Sequence, residues 1–174
     1  NGEGIYIGTA PEQAYCPPEI GSCKSLKNPT KEPDVTRDNH VHHNVIDTRG
    51  NECVDVKEDA TANLVEHNTC TGQGDPNSAG LDARGDGNVF RYNVSRGNVG
   101  AGVRLGGDRD RSGMPLWGFD NHVYGNVIEN NRSGGIKVEA APQGRMCGNR
   151  MAGNVGGNVV GSRADRIARD PTAA

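Results

Sequence analysis

One recurring asparagine constrains this chain more than any other feature. Five segments, HVHHNVI, LVEHNTC, VFRYNVS, HVYGNVI and RMCGNRM, align on Asn44, Asn68, Asn93, Asn126 and Asn149, with spacings of 24, 25, 33 and 23 residues. Three residues before each stands an apolar side chain: Val41, Val65, Phe90, Val123 and Met146. Two residues after each stand Ile46, Cys70, Ser95, Ile128 and Met151, mostly apolar. Between the aligned segments lie GIYIG, CVDVK, GLDAR, GVRLG and GIKVE, each alternating with the period of two that marks a strand. Short strands repeating at this period predict a solenoid. Stacking equivalent positions about 4.8 Å apart lets an inward Asn bond to its equivalents above and below, forming a ladder. Such a ladder satisfies polar groups that would otherwise be buried unpaired.

Composition points the same way. The 174 residues bound the chain to one domain. With 26 Gly, 18 Asn, 33% hydrophobic and 4% aromatic residues, a helical bundle is excluded. No stretch approaches the ~20 apolar residues of a membrane-spanning helix, so no membrane span is expected. A formal net charge of -3 gives no global case for nucleic acid or anionic lipid as a partner.

The NxxxxN(V/T)-type turns and Gly-rich strand entries resemble the right-handed parallel β-helix superfamily, the pectate-lyase-like proteins, over roughly residues 2–161. The expectation is an all-β, right-handed parallel β-helix of five to six coils with an Asn ladder across residues 1–161. The right hand is also expected from crossover chirality. Residues 162–174 would form a C-terminal tail or cap. The fold hosts lyases, hydrolases, epimerases, adhesins and tailspikes, so activity must be argued from a site.

Stacking turns Ile5/Ile7, Val54/Val56, Leu81/Ala83, Val103/Leu105 and Ile136/Val138 inward. It leaves two outward columns. One is Tyr6, Asp55, Asp82, Arg104 and Lys137; the other is Gly8, Lys57, Arg84, Gly106 and Glu139. This is either an ordinary solvated face or a binding face. Two long loops, 9–38 and 107–120, flank coils whose own turns are short, which predicts a walled, solvent-facing groove suited to a linear polymer. Trp117, in the second loop, either stacks on a sugar ring or anchors the loop.

The resemblance implies a specific chemistry. Polysaccharide lyases of this fold bind a uronate carboxylate through Ca²⁺ held by strand-borne acids, while a Lys or Arg takes the proton on the adjacent carbon. On that implication Lys57 is the candidate base, with Arg84 beside it at the catalytic position. Arg104, Trp117, Lys137 and Tyr6 form the substrate side, and Asp55 and Asp82 are the Ca²⁺ ligands. A secreted or cell-surface lyase of an acidic polysaccharide is the first expectation. The alternative is a noncatalytic glycan-binding or filament subunit, and a glycoside hydrolase using Asp55 and Asp82 comes third.

Five cysteines remain. Cys16 and Cys23, in the loop YCPPEIGSC, form either a disulfide, as in an exported protein, or a pair of free thiols. Cys53 and Cys70 fall near one turn side of a coil and suit a second disulfide, leaving Cys147 unpaired. His40 and His42 share a strand face as transition-metal ligands would, but His43 points elsewhere and no carboxylate or Cys sits at fixed spacing. A structural or solvated role is expected for them. The sequons NVS (93–95) and NRS (131–133) match glycosylation acceptors, although Asn93 is a ladder residue. Only NGE precedes the first strand, so covering Ile5 and Ile7 is expected to need further coils, a removed N-terminal region or end-to-end association.

Overall fold

The computed structural model describes residues 2–20, 32–167 and 170–174. The first coil contains β1 (Ile5–Ile7), a one-turn helix α1 (Pro11–Ala14), β2 (His40–His42) and β3 (Val45–Asp47). The second has β4 (Val54–Val56), β5 (Leu64–Glu66) and β6 (Thr69–Thr71), and the third β7 (Ala79–Ala83), β8 (Val89–Arg91) and β9 (Val94–Arg96). Next come β10 (Ala101–Leu105), β11 (His122–Tyr124) and β12 (Val127–Glu129), then β13 (Ile136–Val138), β14 (Met146–Cys147) and β15 (Arg150–Ala152). A sixth coil opens with β16 (Val159–Val160). Every third strand pairs in parallel, giving one six-stranded sheet, β1-β4-β7-β10-β13-β16, and two five-stranded sheets. The chain is a parallel β-helix solenoid of five full coils and part of a sixth.

The inward positions are those the alternation predicts. Val54, Val56, Leu81, Ala83, Val103, Leu105, Ile136 and Val138 are fully buried, facing Val65, Phe90, Val123, Cys70 and Ile128 from the other sheets. Cys53 and Cys70 form a disulfide inside the second coil, with Cα atoms 5.7 Å apart. Cys16 is also disulfide-bonded, but Cys23 lies outside the described residues. Cys147 is a free cysteine.

The corners explain the asparagines. Asn44, Asn68, Asn93, Asn126 and Asn149 form the expected ladder: the backbone N–H of each of the first four donates to the side-chain oxygen of the Asn one coil on. There are two more ladders. Asn39, Asn63, Asn88 and Asn121 form one, closed by Gln143. Gln73, Asn98, Asn131 and Asn154 form the other. Each ladder asparagine, and Gln73, follows a residue with left-handed backbone, such as His67 (φ 55°), Tyr92 (φ 54°) or Gly125 (φ 66°). That residue turns the chain, and the Asn side chain then takes up backbone groups the turn leaves unpaired. Gly125 has a second reason to be glycine, because a Cβ there would meet the Tyr92 ring at 2.6 Å.

The two ends differ. At the C-terminal end, Pro171 accepts hydrogen bonds from the Asn149 backbone (3.1 Å) and side chain (2.9 Å), and Ala173 accepts one from Gly148 (2.6 Å). The tail thus stands in for the next coil. The N-terminal coil carries exposed Val45 and only partly buried Val41 and Ile46.

Candidate functional site

The six-stranded sheet holds the expected outward column in register: Tyr6 pairs with Asp55, Asp55 with Asp82, Asp82 with Arg104, and Arg104 with Lys137. The second column follows two residues on. It brings Lys57 beside Arg84, close enough for each to act on the other's charge. The column composition was legible in the sequence; its burial was not.

The expected groove is a roofed face. Asp55, Lys57, Glu58 and Asp82 are buried, and only about a sixth of Arg84 and a fifth of Arg104 are exposed. The described parts of the two loops, within 9–20 and 107–120, are tied to each other and to the turn after β4. Tyr15 donates to Asp59 Oδ2 (2.8 Å) and the Trp117 indole N–H to Asp59 Oδ1 (3.1 Å), while Arg111 N–H donates to Glu19 O (3.1 Å). The physical reason is apolar: Ala10, Pro11 and Ala14 around α1 lie buried against the solenoid. Through its indole N–H, Trp117 ties its loop to the turn after β4.

Beneath the roof the charges pair. Lys57 Nζ lies 2.7 Å from Asp55 Oδ2 and 4.8 Å from the centre of the Tyr6 ring. Arg84 bridges Glu58 (2.6 Å) and Asp108 (2.9 Å), and Arg104 holds Asp82 Oδ2 at 3.0 Å. Lys137 donates to Asn77 O at 3.1 Å. The expected substrate cations therefore already have partners.

Electrostatics follow from burial. Burial and the neighbouring Asp82 raise the Asp55 carboxyl to about 7. Burial disfavours the Lys57 ammonium, but the Asp55 carboxylate outweighs it and holds the lysine above its usual range. Arg84 is raised too, its four surrounding carboxylates overcoming desolvation. As it stands, Lys57 is an ammonium and no base.

The carboxylates form a group that the sequence reading only half anticipated. Glu3, Glu52 and Asp55 each bring an oxygen within 4.8 Å of the others. Asp55 Oδ1 is buried without a hydrogen-bond partner among the described residues. Ser78 Oγ donates to Glu52 and sits 3.3 Å from Asp82 Oδ2. Three converging carboxylates, one with an orphaned oxygen, fit a hard divalent cation. Asp82, expected as a ligand, lies outside this trio and is held by Arg104. Glu3 and Glu52 were missed, because one precedes the first strand and the other precedes Cys53, off the alternating columns.

Elsewhere, His40 and His42 share a face, with ring centroids 4.3 Å apart, and His40 Nε2 contacts Glu66 at 2.8 Å. His42 and His43 bring their Nδ1 atoms within 2.9 Å. A cavity of about 620 Å³ lies between the last coil and the tail, lined by Arg145, Met146, Cys147, Arg166 and Ile167. None of the charged cluster lines it.

No helix among the described residues is long and apolar enough to cross a membrane. Compared with known proteins, the chain matches no family model, no curated protein and no solved structure.

Proposed function

We propose that this β-helix is a member of the pectate-lyase-like superfamily, exported to the cell surface or beyond. Its activity is cleavage of an acidic, uronate-containing glycan by β-elimination. One observation carries the reading: Lys57 and Arg84 stand on adjacent rungs of a rigid sheet, beside three convergent carboxylates with an unpartnered oxygen. A Ca²⁺ held by Glu3, Glu52 and Asp55 would neutralise the uronate carboxylate, acidify the neighbouring C–H and draw the Asp55 charge away from Lys57. Lys57, relieved of its ion pair and beside the Arg84 cation, takes the proton. Arg84, with Arg104 and Lys137 further along the face, binds the polyanion, and Tyr6 stays at the exposed edge where a sugar reaches the sheet.

The test is the ultraviolet absorbance of unsaturated uronate products. Polygalacturonate, alginate and glycosaminoglycans are each assayed with and without calcium. Turnover of one polymer is expected, dependent on calcium and reduced roughly 10²-fold or more in Lys57→Ala. No absorbance change with any polymer in either condition would overturn the reading. The burial of the cluster favours a second reading, in which the ion-paired face is structural and the protein is a noncatalytic glycan-binding or filament subunit. Glycan binding without product formation would support that one.

A further inference from the structure

We propose that His42 and His43 form a chelating site for a late first-row divalent transition-metal ion, Ni²⁺ or Cu²⁺, on the exposed corner between β2 and β3. The corner belongs to a different sheet from the charged face, and the proposal does not depend on the lyase reading. Strand alternation alone would send His43 to the opposite side from His42. His43 instead has left-handed backbone, φ 56°, which ends the alternation and turns its ring back toward its neighbour. The two Nδ1 atoms come to 2.9 Å.

That separation is the bite of a chelate. Metal–imidazole bonds of about 2.0–2.1 Å meeting at a right angle place their nitrogens about 2.9 Å apart, whereas a tetrahedral angle needs about 3.3 Å. Nitrogen donors at right angles suit Cu²⁺ and Ni²⁺. Two neutral rings can meet at this distance in two ways. One Nδ1–H donates to the other Nδ1, or both Nδ1 lone pairs face one cation. Passing from the first to the second requires only that the donor ring carry its proton on Nε2 instead, so no proton leaves the pair.

The rings are held from both sides. His40, on the same face of β2, packs against His42 with ring centroids 4.3 Å apart. His40 Nε2 is tied to Glu66 Oε1 at 2.8 Å, and Arg91 Nε fixes Glu66 in turn at 2.6 Å. On the other side His67 occupies the same corner one coil on, before Asn68 as His43 is before Asn44. It stacks on His43, with centroids 5.1 Å and ring planes 17° apart. Neighbours of this kind set ring orientation before any ion arrives and reduce the side-chain entropy that binding would otherwise cost. His42 and His43 are both exposed, so the other positions of the ion stay open to water or to an incoming oxygen donor.

The test is isothermal titration calorimetry of the untagged full chain with NiCl₂ in the presence of excess Ca²⁺. Calcium occupies carboxylate oxygens and leaves imidazole free, so the Glu3–Glu52–Asp55 group contributes nothing to the signal. One saturable Ni²⁺ site per chain is expected. His42→Ala and His43→Asn should each weaken it roughly tenfold or more; asparagine at 43 tolerates the left-handed corner, and circular dichroism checks that both variants are folded. His122→Ala is the control and should bind as wild type does. His122 lies three strands from β2 in the same sheet, with its Nδ1 already accepting the Arg145 N–H at 3.0 Å. A wild-type chain with no saturable Ni²⁺ site overturns the proposal and leaves the histidines a hydrogen-bonded pair only. So does a folded His43→Asn chain that binds Ni²⁺ as tightly as wild type.

Discussion

At the scale of single residues, stability lies in the ladders. Asn93 accepts from the Asn68 backbone and side chain, and donates to Val65 O and to Asn126 Oδ1. Asn93→Ala leaves buried donors and an acceptor unpaired, at about 1–3 kcal/mol each. We expect a loss of roughly 3 kcal/mol in urea unfolding, against about 1 kcal/mol for Asn44→Ala on the more open first coil. Ala62 is exposed and left-handed at φ 55°; Ala62→Gly should stabilise by about 1 kcal/mol in the same assay. Both sequon asparagines, Asn93 and Asn131, are buried ladder members, so expression in a glycosylating host should give no mass added at either. The sequence displayed one ladder because Asn44 and its equivalents sit in similar surroundings. The other two were present as a recurring five-residue step, Asn63 to Asn68, Asn88 to Asn93, Asn93 to Asn98. The step reads as a turn signature, NxxxxN(V/T), and not as two further ladders, because Gln73 stands in place of Asn at the head of one and the turning residues before them share no side-chain type.

At the scale of elements, the six-stranded sheet was readable and its covering was not. Alternation in CVDVK or GVRLG follows directly from strand geometry, so inward and outward faces are encoded locally. What lies over the outward face depends on α1 and the Trp117 loop meeting at Asp59, contacts that join residues 44 and 58 positions apart. No local pattern announces them. The Cys53–Cys70 bridge is intermediate: coil spacing put the pair on one side, and the structure joined them across a separation of 17 residues. A loop of that size predicts a loss of about 3 kcal/mol in the Cys53→Ala/Cys70→Ala double variant. Calorimetry should show this as a melting temperature lower by roughly 10 °C.

At the scale of the whole molecule, the coils are coupled mainly to their neighbours, and the ends set the direction of loss. The tail occupies the hydrogen bonds that a further coil would take at Asn149. Removing residues 170–174 should expose that edge and produce concentration-dependent association in sedimentation velocity, beyond any shown by the intact chain. Amide exchange should be slowest around Val65, Phe90 and Val123 and fastest in β2 and β3, where the first coil carries exposed side chains. The three parallel ladders also dictate how such a chain can change in length. Excising the stretch from Asn68 to Tyr92 would bring Asn93 into the place of Asn68, with Val94 replacing Thr69 and Ser95 replacing Cys70, because these are already register partners. Removing one residue from β5 would instead turn every following side chain in that strand to the wrong face. Between corners, insertions and deletions are therefore admissible only in whole coils, and segments such as the 107–120 loop, lying outside that register, are where all other variation in length must collect.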